Sequence, residues 1–377
     1  MIPLSLYLHF PWCVRKCPYC DFNSHAARGE VPEGAYIDGL LRDLDFELQQ
    51  AEARELVSIF MGGGTPSLFS GAAIARLLDG VRARLMFARD IEITLEANPG
   101  TVDEAHFAGY RAAGVNRLSI GVQSLDAEKL RALGRIHDPA SARAAVRVAR
   151  AAGFSNINLD LMYALPQQTL AQAEADLRGL LELQPEHISY YQLTLEPNTE
   201  FAARPPPLPD DELAWDMQLQ GQALLAQHGY AQYEVSAYAR TGRRAKHNLN
   251  YWTFGDYLGI GAGAHGKRTL DGAIRRRARH KHPKTYLEHA GLREAIQEER
   301  TVAAEDLPFE YAMNALRLNQ GFELGDFSAR TGASSQVLEP ALARAQAAGL
   351  LERAGSRVLA NELGRAHLNR LTQMFLP

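Results

Sequence analysis

The residues most able to do chemistry are the cysteines, which all lie within eight consecutive positions. The chain has 377 residues and three cysteines, Cys13, Cys17 and Cys20, spaced as C-x3-C-x2-C. An odd number of cysteines packed this closely does not form a disulfide framework. Thiolates crowded in this way repel one another unless they share a cation. The spacing therefore predicts either a zinc ion or an iron–sulfur cluster.

The number of thiols favours the cluster over zinc. Structural zinc takes four protein ligands, and the nearby candidates for a fourth are His9 and His25. A cluster held by three cysteines instead leaves one iron open to a ligand from outside the protein. A zinc-stabilised binding protein remains the alternative interpretation.

A second set of candidate residues follows predicted strands. Apolar runs typical of strands cover residues 4–8, 56–60, 91–95, 117–121, 157–162 and 187–193. Polar residues or glycines come at their carboxyl ends, namely His9, the segment from Gly62 to Thr65, Glu96, Gln123, Asp160 and Thr194. In parallel β/α folds these ends meet at one mouth, which binds the ligand.

Several of these residue types suit a charged ligand. The glycines Gly62, Gly63 and Gly64 permit close backbone approach, and their carbonyls can accept from an ammonium group. Glu96 and Asp160 could hold an ammonium, ribose hydroxyls or a sulfonium, although buried salt bridges are the simpler interpretation. Arg135 could pair with a ligand carboxylate, or it could be a solvated helix end.

The elements that position these residues alternate between strand and amphipathic helix. Apolar faces are predicted around Tyr36–Leu48 and Ile74–Leu85, and Thr101–Glu104 reads as a capping box that opens another helix. Six β/α units in about two hundred residues predict an α/β fold, a partial (β/α)6 barrel of TIM type.

The rest of the chain predicts two smaller segments. The barrel is expected over 1–203, and the proline-rich stretch 204–209 is expected to be a stiff boundary. An accessory segment over 204–299 contains a predicted helix at 211–228 and a strand at 233–238. A smaller α+β region over 300–377, with helices and a hairpin near 351–359, is typical of a winged-helix end.

Composition excludes several classes of protein. With 46% hydrophobic and 22% charged residues and a formal charge of −4, the chain is neither disordered nor a basic nucleic-acid binder. No apolar run is long enough for an integral membrane segment, and the start has no secretory pattern, so a cytoplasmic protein is expected. The winged-helix-like end is expected to be a structural cap rather than a DNA-binding module.

The cysteine pattern after the first strand and Gly62-Gly-Gly-Thr-Pro66 after the second resemble the radical S-adenosylmethionine (SAM) superfamily. The resemblance implies a [4Fe–4S] cluster on Cys13, Cys17 and Cys20 whose open iron binds SAM. Further motifs are similar to the oxygen-independent coproporphyrinogen III oxidase group: Tyr7–Cys13, Glu96–Pro99, Gly121–Ser124, Leu133–His137 and Asp160–Pro166. The resemblance implies that Tyr7, Gly63 and Glu96 serve one SAM, and that Tyr19, Gly64, Thr65, Gln123, Arg135, Asp160 and Thr194 serve a second molecule.

Two departures point to one branch of that family. The oxidase has a further cysteine two positions after the last cluster ligand, where this chain has Phe22. The segment His247–Trp252 resembles the H-N-x-x-Y-W motif of the HemW branch, whose members are haem chaperones. The resemblance implies haem as cargo, His247 as its favoured ligand with His265 as a second candidate, and acceptor proteins that include membrane-bound ones. The alternative is a radical oxidoreductase acting on coproporphyrinogen III or a related porphyrinoid.

Two further patterns are less informative. Gly261–Gly266 formally matches G-x-G-x-x-G, but no helical pattern follows it, so a dinucleotide site is not expected. The basic run Arg275–His282 could meet haem propionates, anionic lipid or RNA. A solvated strand or loop face is the default expectation for such a run.

Overall fold

The computed structural model describes residues 2–49 and 54–377, and its centre is a partial barrel. Consecutive parallel strands form the barrel wall: β1 (Leu4–Phe10), β2 (Leu56–Gly63), β3 (Phe87–Ala97), β4 (Arg117–Gln123), β5 (Ile157–Tyr163) and β6 (His187–Gln192). Each pairs with the next in parallel register. The predicted (β/α)6 architecture is confirmed, and each predicted apolar run coincides with one of these strands.

Helices cover the outside of the barrel: α1 (Glu33–Leu48), α2 (Gly71–Arg82), α3 (Glu104–Ala113), α4 (Ala127–Ala132), α5 (Pro139–Ala151) and α6 (Leu170–Leu181). The predicted apolar face of α2 is buried, since Ile74, Leu77, Leu78 and Val81 have no solvent exposure. The Ser70 side chain caps this helix by accepting from the Ala73 N–H. Burial of such faces against the strands supplies the main core of the molecule.

The predicted capping box at Thr101 is wrong. Helix α3 begins at Glu104, and the Asp103 side chain accepts from the His106 N–H. Thr101 belongs to a 3-10 turn that Pro99 opens, and its hydroxyl donates to the Asn98 carbonyl at 3.0 Å. Asp103 caps better because its carboxylate already lies beside the free N–H groups of the first helical turn.

The middle of the chain extends the sheet at both edges. The strands β7 (Ala231–Gln232) and β8 (Ala237–Ala239) follow β6, while β9 (Asp256–Ile260), β10 (His265–Leu270), β11 (Ala273–Arg279) and β12 (Ile296–Thr301) lie beyond β1. The resulting order is β12-β11-β10-β9-β1-β2-β3-β4-β5-β6-β8-β7. The predicted strand at 233–238 is a tight antiparallel connection, in which the Tyr233 N–H donates to the Ala237 carbonyl at 3.1 Å.

Helices of the same region pack beside these strands: α7 (Glu200–Ala203), α8 (Asp211–Gln227), α9 (Lys246–Trp252) and α10 (Pro283–His289). Helix α8 confirms the helix predicted at 211–228. The proline-rich stretch between α7 and α8 has no helix or strand. This agrees with the expected break, because proline lacks the N–H that both structures need.

The basic run Arg275–His282 is not a solvated face. Strand β11 contains most of it, and Arg279 Nε donates to Asp43 Oδ1 at 2.9 Å while Arg277 Nη1 donates to Glu47 Oε2 at 3.1 Å. Both acids are buried on helix α1. Because buried carboxylates need paired counter-charges, these arginines point inward. The expectation of a solvated strand or loop face is therefore wrong.

The C-terminal part forms a second, smaller core. It contains α11 (Leu307–Ala315), β13 (Phe322–Glu323), α12 (Leu324–Thr331), α13 (Glu339–Ala347), β14 (Leu351–Ala354), β15 (Arg357–Ala360), α14 (Glu362–Ala366) and α15 (Leu368–Gln373). Strand β15 pairs with both β13 and β14. This is the predicted α+β, winged-helix-like arrangement. Across residues 2–49 and 54–377, none of the helices has the length and apolar character needed to cross a membrane.

Candidate functional site

The cysteines lie on a loop that begins at the carboxyl end of β1. Its two ends are held together because Trp12–Cys13 pairs in parallel with His25–Ala26, and the Ala27 N–H donates to the Cys13 carbonyl at 2.8 Å. Cys13, Cys17 and Cys20 are all half-buried and free of disulfides. The thiols therefore stand in a closed loop at the mouth of the barrel.

Each cysteine sulfur has a polar neighbour. Thr65 Oγ1 donates to Cys13 Sγ at 3.3 Å, Arg135 Nη1 donates to Cys17 Sγ at 3.8 Å, and Ser24 Oγ lies 3.7 Å from Cys20 Sγ. Hydrogen bonds to sulfur stabilise thiolates and adjust the potential of iron–sulfur centres. These contacts suit thiolates that carry negative charge.

The donor set fits a cluster better than a zinc ion. The loop offers three free thiols, Cys13, Cys17 and Cys20, whereas structural zinc takes four protein ligands. His9 is not free to be a fourth zinc ligand, because its Nδ1 lies 2.8 Å from Tyr7 Oη and its Nε2 lies 2.8 Å from the Asn23 carbonyl oxygen.

Most of the predicted site residues meet in one cavity of about 320 Å³ at the barrel mouth, called here the mouth cavity. The predicted residues that line it are Cys13, Cys17, Tyr19, Cys20, Gly63, Gly64, Thr65, Glu96, Gln123, Arg135 and Asp160. They come from the cysteine loop after β1, from the carboxyl-terminal parts of β2, β3, β4 and β5, and, for Arg135, from the loop between α4 and α5. Parallel packing of the strands is what joins these segments, which are distant in sequence.

The glycine loop after β2, Gly62–Gly64, lies too close to residues of β1 to leave room for a side chain. Gly63 has φ of +110°, and a Cβ there would lie 2.4 Å from His9 Cε1. The Gly63 N–H donates to Glu96 Oε2 at 3.1 Å, and the Gly64 N–H donates to the Phe10 carbonyl at 2.6 Å. Only glycine combines this backbone angle with this contact.

Two buried carboxylates face the mouth cavity. Burial and the charge of Asp160 raise the pKa of Glu96 to about 8, against the smaller opposing effect of the Gly63 N–H. Burial also raises the pKa of Asp160, although Asn158 Nδ2 donates to its Oδ1 at 2.8 Å. Among the described residues neither carboxylate forms an ion pair, and the only charge that opposes the shift at Asp160 is the more distant one of Arg117, so the ionised forms are destabilised. The arrangement therefore favours a ligand that brings positive charge.

The mouth cavity also offers polar groups for hydrogen bonding. Arg135 is half-buried, its Nη2 donates to the Gly121 carbonyl at 2.9 Å, and its Nε has no partner in the described residues. Gln123 adopts a positive φ of 68° at an irregularity in β4, and its Oε1 accepts from Tyr191 Oη at 2.9 Å. Such an irregularity redirects side chains at a strand end. Arg135 is thus part of the site and not a solvated helix end.

Four predicted site residues do not line the mouth cavity, namely Tyr7, Thr194, His247 and His265. Tyr7 lies against His9 and faces a different cavity nearer the outer surface. Thr194 is exposed, and its hydroxyl donates to Glu196 Oε1 at 2.7 Å. His247 is buried on helix α9, with its Nδ1 3.0 Å from Glu92 Oε1.

Sequence analysis missed polar residues deeper in the barrel. Ser119 Oγ donates to Asp160 Oδ2 at 3.3 Å, and Asn158 Oδ1 lies 2.6 Å from His187 Nδ1. Ser189 lines the mouth cavity and donates to Asn158 Oδ1 at 3.1 Å. These residues alternate with apolar ones along β4, β5 and β6. The period of two along these strands is the sequence signal that indicates them.

Comparison with known proteins agrees with this arrangement. Residues 7–179 match the family model of the Radical SAM superfamily, and residues 302–367 match that of the HemN C-terminal domain. A protein of Escherichia coli named heme chaperone HemW is 53% identical over 375 residues, which is 99% of this chain and 98% of that protein. A protein of the same name from Mycobacterium tuberculosis is 35% identical over 96% of this chain and 92% of its own.

A solved structure shows the same architecture over nearly the whole chain. Coproporphyrinogen III oxidase (HemN) of Escherichia coli, described as a radical SAM enzyme, superposes with a TM-score of 0.83 at 25% identity, covering 99% of this chain and 90% of that one. The near-complete coverage includes the sheet extension and the C-terminal region as well as the barrel. Together with the sequence identity to the HemW proteins, it shows that this chain belongs to the HemW-type family of radical SAM proteins.

Proposed function

We propose that this protein is a haem chaperone, which binds haem and passes it to haem-requiring respiratory proteins. The observation that carries the proposal is the 53% identity, over nearly the whole of both chains, to the Escherichia coli protein named heme chaperone HemW. In this proposal the protein acts in the cytoplasm, and its acceptors include membrane-bound enzymes.

The barrel supplies the cluster and SAM sites of the proposed chaperone. Cys13, Cys17 and Cys20 would hold a [4Fe–4S] cluster, which when bound supplies an open iron for SAM and an electron for its sulfonium. Their assignment is supported by the polar neighbour of each sulfur. The division of labour follows the segments 1–203 for cluster and SAM, 204–299 for a contribution to haem binding, and 300–377 as a cap.

Residues of the mouth cavity would bind and orient SAM. Glu96 and Asp160 would take its positively charged groups, because both are buried and neither forms an ion pair within the described residues. Arg135, with an unpartnered Nε, would pair with a carboxylate. The other assigned residues, Tyr7, Tyr19, Gly63, Gly64, Thr65, Gln123 and Thr194, would complete one or two SAM sites, and Thr194 would have to turn inward to do so.

A second candidate function is a radical enzyme acting on coproporphyrinogen III or a related porphyrinoid. The observation that favours it is the structural likeness to the Escherichia coli oxidase, with a TM-score of 0.83. Phe22 argues against the oxidase reaction, because the oxidase pattern has a further cysteine at this position of the cysteine loop. The Phe22 side chain is 61% exposed.

A haem titration tests the proposal. Haemin is added anaerobically to the cluster-reconstituted protein, and the mixture is separated by gel filtration with detection at the Soret band. We expect haem to co-elute with the protein at a fixed stoichiometry and with a shifted band. A protein that retains no haem would contradict the chaperone function.

The same preparation distinguishes the second candidate. It is incubated anaerobically with dithionite, SAM and coproporphyrinogen III, and the products are separated by chromatography. The chaperone proposal predicts no stoichiometric protoporphyrinogen. Its formation would show that the protein is a turnover enzyme.

A further inference from the structure

A second cavity lies beside the cysteine loop and is separate from the proposed SAM site. This outer cavity has a volume of about 770 Å³, and its lining includes Cys20, Phe22, His25, Tyr251, Trp252 and His265. Pockets for ligands the size of a drug or cofactor have volumes of about 300–1,000 Å³. Cys20 and Phe22 also line the mouth cavity, so the two cavities meet at the cysteine loop.

Three histidines line the outer cavity, and two of them are engaged elsewhere. Both ring nitrogens of His9 have partners within 2.8 Å. The Nε2 of His25 lies 3.2 Å from both Asn23 Oδ1 and the Lys281 carbonyl oxygen. His9 must therefore lose a hydrogen bond before it can bind a metal, whereas His25 is held at Nε2 and keeps its Nδ1.

His265 differs from both of them. It is the first residue of β10, it is exposed, and in the described part of the chain its imidazole makes no hydrogen bond. Partial burial and the charge of Lys281 lower its pKa, which favours the neutral imidazole. The neutral form is the one that ligates iron.

The walls of the outer cavity suit a flat apolar molecule with anionic groups. Tyr251, Trp252 and Tyr257 supply aromatic surface, with Arg317 covering one face of the Trp252 ring at 4.2 Å from its centroid. Lys16 and Lys281 line the same cavity, and neither forms an ion pair within the described chain. Aromatic rings pack against a macrocycle, while lysines attract carboxylates.

His247, the ligand favoured by the sequence motif, does not line the outer cavity. Its ring packs against Phe60 at an interplanar angle of 32° with centroids 4.2 Å apart, and its Nδ1 lies 3.0 Å from Glu92 Oε1. It stands one helical turn before Tyr251 on α9, so it can fix the position of the aromatic wall without touching a ligand there. His247 is therefore a positioning residue.

We propose that haem binds in the outer cavity with His265 as an axial ligand of its iron, its face against Tyr251 and Trp252 and its propionates toward Lys16 and Lys281. The inference rests on the proposed haem-binding function. It adds the location and the ligand, and it puts the haem edge beside the cysteine loop.

The test compares ligand variants of the full-length, cluster-loaded protein. Haemin is titrated anaerobically into wild type, His265→Ala, His265→Cys and the control His367→Ala, which replaces an exposed histidine outside the outer cavity. We expect His265→Ala to weaken haem binding about tenfold or more and to shift the Soret band. His265→Cys should restore affinity with a thiolate-type spectrum, which a purely structural role would not produce.

The outcomes distinguish a failure of the proposed haem-binding function from a failure of the assigned ligand, His265. If wild type binds no haem, the proposed function fails. If wild type binds haem while His265→Ala keeps its affinity and its spectrum, the function stands and the assigned ligand is wrong. Should His265→Ala misfold, an unchanged wild-type spectrum in His265→Cys would equally overturn the assignment.

A second probe tests the orientation of haem. Lys281→Gln should weaken the binding of haemin but leave the binding of haemin dimethyl ester, whose propionates are uncharged, at the wild-type value. An equal loss for both probes, or no loss for either, would contradict the placement of the propionates. The paired probes separate a charge effect from a general disturbance of the cavity.

Discussion

Glu96 should make the stability of the protein depend on pH. Its pKa in the folded protein is about 8, against an ordinary value of 4.5, because it is buried and faces Asp160. A carboxyl with a raised pKa keeps its proton in the folded state after the unfolded chain has lost it. Stability is therefore lost as the pH rises from about 4.5 to about 8.

The size of the effect follows from the shift. At about 1.4 kcal/mol for each pH unit, the wild-type protein should lose about 2 to 3 kcal/mol of unfolding free energy between pH 6 and pH 9 through this one group. Glu96→Gln keeps a carbonyl to accept from the Gly63 N–H but cannot ionise. Between pH 6 and pH 9, the unfolding free energy of Glu96→Gln should therefore fall by about 2 to 3 kcal/mol less than that of wild type.

The assay is anaerobic urea denaturation followed by circular dichroism, with all proteins in the same iron-free state. Glu104→Gln, at an exposed position on α3, is the matched control and should follow wild type. Parallel pH curves for wild type and Glu96→Gln would refute the reasoning. In reconstituted protein, Glu96→Gln should also bind SAM more weakly, because it cannot offer a carboxylate to a cation.

Three further substitutions test other parts of the structure. His247→Ala should cost about 1 to 3 kcal/mol in urea denaturation, because Glu92 loses one buried hydrogen-bond partner and keeps Arg117, whose Nε lies 3.9 Å from Glu92 Oε2, while haem affinity per folded molecule falls less than in the His265 variant. Gly63→Ala should reduce the iron and sulfide retained on reconstitution, since its Cβ would meet the His9 ring. Asp43→Asn should lower thermal stability by several degrees, because Arg279 loses one of its two buried carboxylates and keeps only Glu47; an unchanged value in any of the three would contradict the corresponding contact.

The sequence alone determined the barrel and most of the mouth. Strand and helix periods are local properties, so the six β/α units could be located without coordinates. The cysteine spacing and the glycine run lie within short segments whose chemistry depends on residue type and order. Once parallel strands are assumed, Glu96, Gln123 and Asp160 must meet, because the carboxyl ends of neighbouring strands share one edge.

Only the tertiary structure decides which distant segments pair with one another. The inward arginines of β11 could not be distinguished from a solvated basic run until helix α1 supplied Asp43 and Glu47 as partners. The sequence does not show which of His247 and His265 is open to a ligand, because each has aromatic or glycine neighbours along the chain. Packing makes His247 a buried partner of Glu92 and leaves His265 open to a cavity. Burial and hydrogen-bond partners are properties of the assembled fold, and they determine which histidine is available to a ligand.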